Sequence, residues 1–229
     1  MNSLFLKNHT RNTLIALSLF FNSVICHASL IFINEIHYDN TGADKNEFVE
    51  LAGTAGLNLL DWSLEFYNGT NGLVYKSIKF SDVTLVDSAN GFGFTTLQVN
   101  GIQNGGSNGI GDGIAIVDNN DQLIQFLSYE GAFEAKSGAA LGLLSQNISI
   151  SQNSTALGKS LQLTNNGSSY NDFVWSLENT TLSAKNVSQT FINETTLPVV
   201  EVSEPRITIL FLLFILILFL RRKEVKRVV

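Results

Sequence analysis

The chain has almost no cysteine, proline or histidine. Its single cysteine, Cys26, stands in a hydrophobic N-terminal segment, so the residues beyond it offer no disulfide and no thiol chemistry. Both prolines, Pro198 and Pro205, come late, so turns in the long middle of the chain must rest on glycine, asparagine and aspartate. Two of the three histidines, His9 and His27, share the segment of Cys26. Only His37 remains, which excludes histidine-rich metal sites from the middle. Basic residues are scarce there too. Between Ser29 and Glu204, 19 acidic residues stand against six lysines and no arginine, a net −13, whereas the whole chain carries −6. That charge repels a phosphate backbone, so direct nucleic-acid binding is not expected.

What the chain does have is apolar residues: 45% of it is hydrophobic, with 16 Phe, and only 15% is charged. A packed core is expected from that balance. The two ends differ from the middle. Lys7 and Arg11 precede an apolar run at 14–25, and Cys26-His27-Ala28 places small residues where a signal peptidase reads them, so cleavage is expected after Ala28. Near the C-terminus, residues 207–220 form an almost wholly apolar run of 14, followed by Arg221, Arg222, Lys223, Lys226 and Arg227. The run is shorter than the roughly 20 residues of a comfortable span, although flanking arginines can snorkel. The positive-inside rule then puts the basic tail in the cytoplasm and the acidic middle outside the membrane. The expected organisation is a signal peptide at 1–28, a domain at 29–191, a linker at 192–205, a membrane or sorting helix at 206–221 and a basic tail at 222–229. Ser203-Glu204-Pro205, the apolar run and the arginine cluster together resemble a PEP-CTERM sorting signal.

The middle alternates short apolar stretches with Gly, Asn and Asp, which predicts an all-β, antiparallel sandwich or barrel. Strands are predicted near 30–38, 47–52, 62–68, 73–80, 91–96, 113–118, 122–129, 159–164 and 172–177. The Asx-rich stretch Asp118-Asn119-Asn120-Asp121 between two apolar runs predicts a hairpin turn. Residues 137–158, rich in Ser, Asn and Gly, read as a long loop with one edge strand at most.

Three early motifs carry a family resemblance: Ile33-Asn34-Glu35-Ile36-His37-Tyr38-Asp39-Asn40, Glu47-Phe48-Val49-Glu50-Leu51 and Leu60-Asp61-Trp62-Ser63-Leu64. Gly111-Asp112-Gly113-Ile114-Ala115, Gln125-Phe126-Leu127-Ser128-Tyr129, Asp172-Phe173-Val174-Trp175 and Asn186-Val187-Ser188-Gln189-Thr190-Phe191 continue it in order. Over residues 30–191 the chain resembles a lamin tail domain of the bacterial, secreted type. The resemblance implies an immunoglobulin-like β-sandwich that serves as a binding or accessory module.

Among candidate sites, Glu35, Asp39, Asp44, Glu47 and Glu50 are the densest carboxylates, and adjacent strands would bring Glu35 near Glu50. Hard oxygen ligands suit calcium, so Glu35, Asp39, Glu47 and Glu50 are the expected metal ligands if calcium binds; solvated strand faces are the plainer reading. Trp62 and Trp175 sit in apolar alternation and are expected in the core, with a sugar-stacking platform as the alternative. The glycines of 105–113 read as a turn rather than a phosphate cradle, because no Lys-Ser or Lys-Thr follows them. His37 has no marked nucleophile near it, so no catalytic triad is expected. The functional expectation is an exported, membrane-tethered, non-enzymatic module whose partner is a matrix component, a polysaccharide or a protein, with no resident cofactor. The alternative is an extracellular glycan hydrolase using paired carboxylates, or an accessory domain to one.

Overall fold

The computed structural model describes residues 30–105 and 109–192. Eleven strands run through them: β1 (Ile31–His37), β2 (Phe48–Thr54), β3 (Ser63–Asn68), β4 (Leu73–Lys79), β5 (Phe92–Gln98), β6 (Asp112–Val117), β7 (Leu123–Tyr129), β8 (Gln146–Asn147), β9 (Lys159–Gly167), β10 (Val174–Asn179) and β11 (Gln189–Phe191). All nine predicted strands are present. The last begins two residues later than expected because Tyr170–Asp172 winds into a 3-10 turn, closed by the Asp172 carboxylate on the Ser169 amide. Among the described residues no helix is long and apolar enough to cross a membrane. The expected leader, most of the linker and the C-terminal helix lie outside the described residues.

One sheet runs in the order β10-β9-β1-β2-β5 with β11 alongside β9, and the second in the order β4-β3-β6-β7-β8. Pairing is antiparallel except at β8 on β7 and β11 on β9, which are parallel. The purely antiparallel expectation is corrected there. Both exceptions are short strands that arrive after a long return loop, the connection that parallel pairing requires. Ile33, Val49, Leu51 and Leu161 of the first sheet meet Leu64, Phe66, Ile114, Ile116 and Leu127 of the second in one buried cluster. Two sheets packed over a shared core make the arrangement sandwich-like.

The hairpin between β6 and β7 forms where the Asx residues predict it. Asp118 Oδ1 accepts from the amides of Asn120 and Gln122, both at 2.8 Å, and Asp121 takes a left-handed φ of 58°. Those amide donors hold the exposed Asp118 carboxyl below its usual range.

β1 breaks strict alternation at one residue. Ile33 pairs with Leu51 and Glu35 with Glu50, so Asn34 is an extra residue, a β-bulge. Ile31 and Ile33 before it and Ile36 and Tyr38 after it therefore all enter the shared core. Glu35 turns to the outer face instead, where a strict period of two would have sent it inward with Ile33.

Each sheet has its outer face covered by a loop. Phe133, Ala135 and Ala140 lie on Tyr67, Ala115, Val117 and Phe126 of the second sheet. On the first sheet the segment 180–191 crosses back over β1, β2 and β9, and Phe191 packs among Phe32, Phe92, Phe94 and Phe173.

Candidate functional site

Glu35 and Glu50 meet as the adjacent strands require. They are register partners and both are wholly buried on the outer face of the first sheet. Two buried carboxylates side by side are unfavourable unless donors satisfy them. The covering segment supplies donors to both. Glu35 accepts from the Thr181 amide at 3.1 Å, the Thr181 hydroxyl at 2.9 Å and the Ser160 hydroxyl at 2.6 Å. Glu50 is held by the Ser183 amide at 2.6 Å, the Thr96 hydroxyl at 2.9 Å and the Asn34 carboxamide at 3.0 Å. Asn34 in turn accepts from Gln189 Nε2 at 2.7 Å, so the bulge residue ties the acid pair to β11.

Burial pushes the Glu50 carboxyl up to about 8; the neighbouring Glu35 charge adds to this and the Asn34, Thr96 and Ser183 donors oppose it. At neutral pH Glu50 is therefore protonated, and like-charge repulsion with Glu35 is relieved.

The other expected metal ligands work elsewhere. Asp39 Oδ2 accepts from the Ser154 amide at 2.9 Å, and Glu47 clamps the Gly101 and Ile102 amides at 2.6 and 2.8 Å. Asp44 accepts from Asn104 Nδ2 at 2.9 Å. Among the described residues no three His, Cys, Asp or Glu side chains are gathered so as to hold a metal ion.

His37 is buried and fixed by two bonds. Gln152 Oε1 accepts from the Tyr38 amide at 2.9 Å while its Nε2 donates to the Lys159 carbonyl at 2.7 Å, which sets the orientation of the Gln152 carboxamide. Its Nε2 then also donates to His37 Nδ1 at 2.6 Å, so His37 Nε2 carries the hydrogen and donates to the Lys45 carbonyl at 3.0 Å. Among the described residues no hydroxyl or thiol is a hydrogen-bond partner of this ring, whose partners are the Lys45 carbonyl and Gln152.

His37 and its register partner Phe48 line a cleft of about 370 Å³. Its other walls are Asn46, Gln98, Leu157, Gly158, Thr180 and Leu182. Thr180 and Leu182 belong to the covering segment, in alternation with the Thr181 and Ser183 that hold the acid pair. The cleft thus adjoins the buried carboxylates but opens to solvent.

The tryptophans are structural. Trp62 is buried in the shared core, and Trp175 packs against that core with its Nε1 donating to the Tyr170 hydroxyl at 3.0 Å. Asp112 accepts from the Gly69 and Gly105 amides at 2.8 and 2.9 Å, with its carboxyl pushed up by burial. Gly111 is required by close approach, since a Cβ there would stand 1.8 Å from the Tyr129 carbonyl oxygen. Gly105 and Gly109 take left-handed φ of 77° and 73°, Gly113 belongs to β6, and residues 106–108 lie outside the described residues. Thr181, Ser183 and Gln152 give no signal in the sequence, where they are ordinary polar residues of Ser- and Asn-rich loops. No protein-family model, curated protein or solved structure matches the chain.

Proposed function

We propose that the chain is an exported, non-enzymatic binding module of the cell envelope: an immunoglobulin-like sandwich of the lamin-tail type, held to the membrane by residues 206–221. The observation that carries this reading is the use of the densest carboxylates. Glu35 and Glu50 lie beneath a covering segment and each is hydrogen-bonded by three groups of the protein itself. A glycosidase needs its two carboxyl groups on either side of an accessible substrate bond. This pair reads instead as an internal fastening.

The places where the described domain begins and ends fit a tethered module. At one end of the sandwich the Thr54 amide donates to the Leu30 carbonyl and the Leu30 amide to the Thr54 hydroxyl, and the Ile192 amide donates to the Gly167 carbonyl at the same end. Strand directions place the His37, Phe48 and Gln98 ends, with the cleft, at the other. A tether leaving from Ile192 presents the cleft away from the membrane.

Adding protease to intact cells tests placement: digestion of the domain without lysis is expected, and protection until lysis would overturn it. Reducing-sugar release from neutral and acidic polysaccharides tests the chemistry. No release is expected; release that disappears in Glu35→Gln/Glu50→Gln would establish the hydrolase reading instead.

A further inference from the structure

We propose that the cleft beside His37 and Phe48 binds a neutral, hydroxyl-rich ligand, of the class of an uncharged glycan. The inference names the ligand class for the module reading above and rests on it.

Three side chains in the walls carry the argument. The Asn46 and Gln98 carboxamides and the Thr180 hydroxyl line the cleft, and none has a hydrogen-bond partner among the described residues. Carboxamides and hydroxyls both donate and accept, which matches the hydroxyl groups of a sugar. No charged side chain is in the lining, although the domain around it is strongly acidic. A charged ligand would lose its water there without gaining a counter-charge. A purely apolar ligand would leave the three polar groups unsatisfied.

The apolar walls complete the match. Leu157 and Leu182 are 58% and 50% exposed and stand at the edges of the cleft, available to the C–H face of a pyranose ring. The volume of about 370 Å³ falls within the range of small-ligand sites, about 300–1,000 Å³. The frame is pre-organised, which lowers the entropy lost on binding. The Thr180 amide donates to the Gly158 carbonyl at 3.0 Å and ties the two walls together. Thr181, the next residue, is fastened to Glu35, and the ring of His37 is fixed by Gln152 and the Lys45 carbonyl.

The test is a titration of the isotope-labelled full chain with short linear neutral glucans and mannans, followed by amide and carboxamide NMR shifts. Saturable shifts confined to Asn46, Gln98, Leu157, Gly158, Thr180 and Leu182 are expected. Gln98→Ala and Thr180→Val, at a rim outside the core, are each expected to weaken binding about tenfold, the loss of one ligand hydrogen bond. No shift across the panel, or shifts elsewhere, overturns the proposal. So does preferential occupation of the cleft by a uronic-acid glycan or by a leucine-rich peptide. Glycan binding that is unchanged in both variants overturns the cleft while leaving the module reading intact. Glycan cleavage that weakens in both variants keeps the cleft and overturns the module reading.

Discussion

Glu35 on β1 stands directly opposite Glu50 on β2, both without exposed surface, and one covering segment reaches each of them, through Thr181 and Ser183 respectively. The acid pair is thus the anchor of a loop that closes the outer face of the first sheet. Neither carboxylate has a basic partner among the described residues. The arrangement depends on a proton held by Glu50, and that dependence can be measured.

Stability should fall as pH rises. The Glu50 carboxyl titrates near 8 in the folded protein against an ordinary 4.5, so the folded state keeps a proton that the unfolded chain has lost between those values. The contribution is fully present below the unfolded value and disappears as pH climbs to the folded one, by up to about 1.4 kcal/mol per pH unit. Denaturant unfolding of the protein and of Glu50→Gln across that window checks the sign. Glu130 and Asp112, also raised by burial, add slope of the same sign to both proteins, so the difference between the two isolates Glu50. Parallel pH profiles would refute the linkage.

Deleting Asn34 should leave the alternation of β1 intact. With the extra residue gone, Ile33, Glu35 and Ile36 follow one another in strict period two opposite Leu51, Glu50 and Val49, so Glu35 still faces outward and Ile36 still enters the core. The deletion and Asn34→Ala both lose the bonds to Glu50 and Gln189, and each is expected to cost about 1–3 kcal/mol with cooperative unfolding retained. Denaturant unfolding of the two variants checks this, and loss of cooperative folding in the deletion alone would count against Asn34 as the extra residue.

Phe191 should act as the plug that seats β11. Its ring centroid lies 4.4 Å from Phe92 and 5.3 Å from Phe173, and the residue is 3% exposed. Phe191→Ala is expected to cost about 3–5 kcal/mol. Hydrogen exchange at the Gln189 and Ile192 amides should accelerate more than in β6. Uniform acceleration would mean that β11 unfolds only with the whole domain.

Calcium should give no specific stabilisation. Glu35 and Glu50 are engaged with each other's surroundings, and Asp39 and Glu47 bind different loops. Melting curves with millimolar calcium and magnesium should shift by equal, small amounts through screening of the acidic surface. A calcium-selective shift that disappears in Glu35→Gln/Glu47→Gln/Glu50→Gln would restore the metal reading.

By itself the sequence determined where nine of the eleven strands lie, all but the short β8 and β11, because apolar alternation is a local signal carried by neighbours two apart, as along Val49 and Leu51 or Ile114 and Ile116. It also determined the turn at Asp118, since an Asx side chain bonds its own backbone two to four residues on. Register reasoning placed Glu35 beside Glu50 for the same reason. The tertiary structure alone decided what that pair does: Thr181 lies 146 residues from Glu35, Ser183 133 from Glu50, and Gln152 115 from His37. A buried polar group takes whichever donor the crossing loop delivers, and no periodicity in the chain encodes that meeting. The cleft is of the same kind, since its walls come from β1, β2, β5 and three loops joined only when the segment 180–191 closes over the sheet.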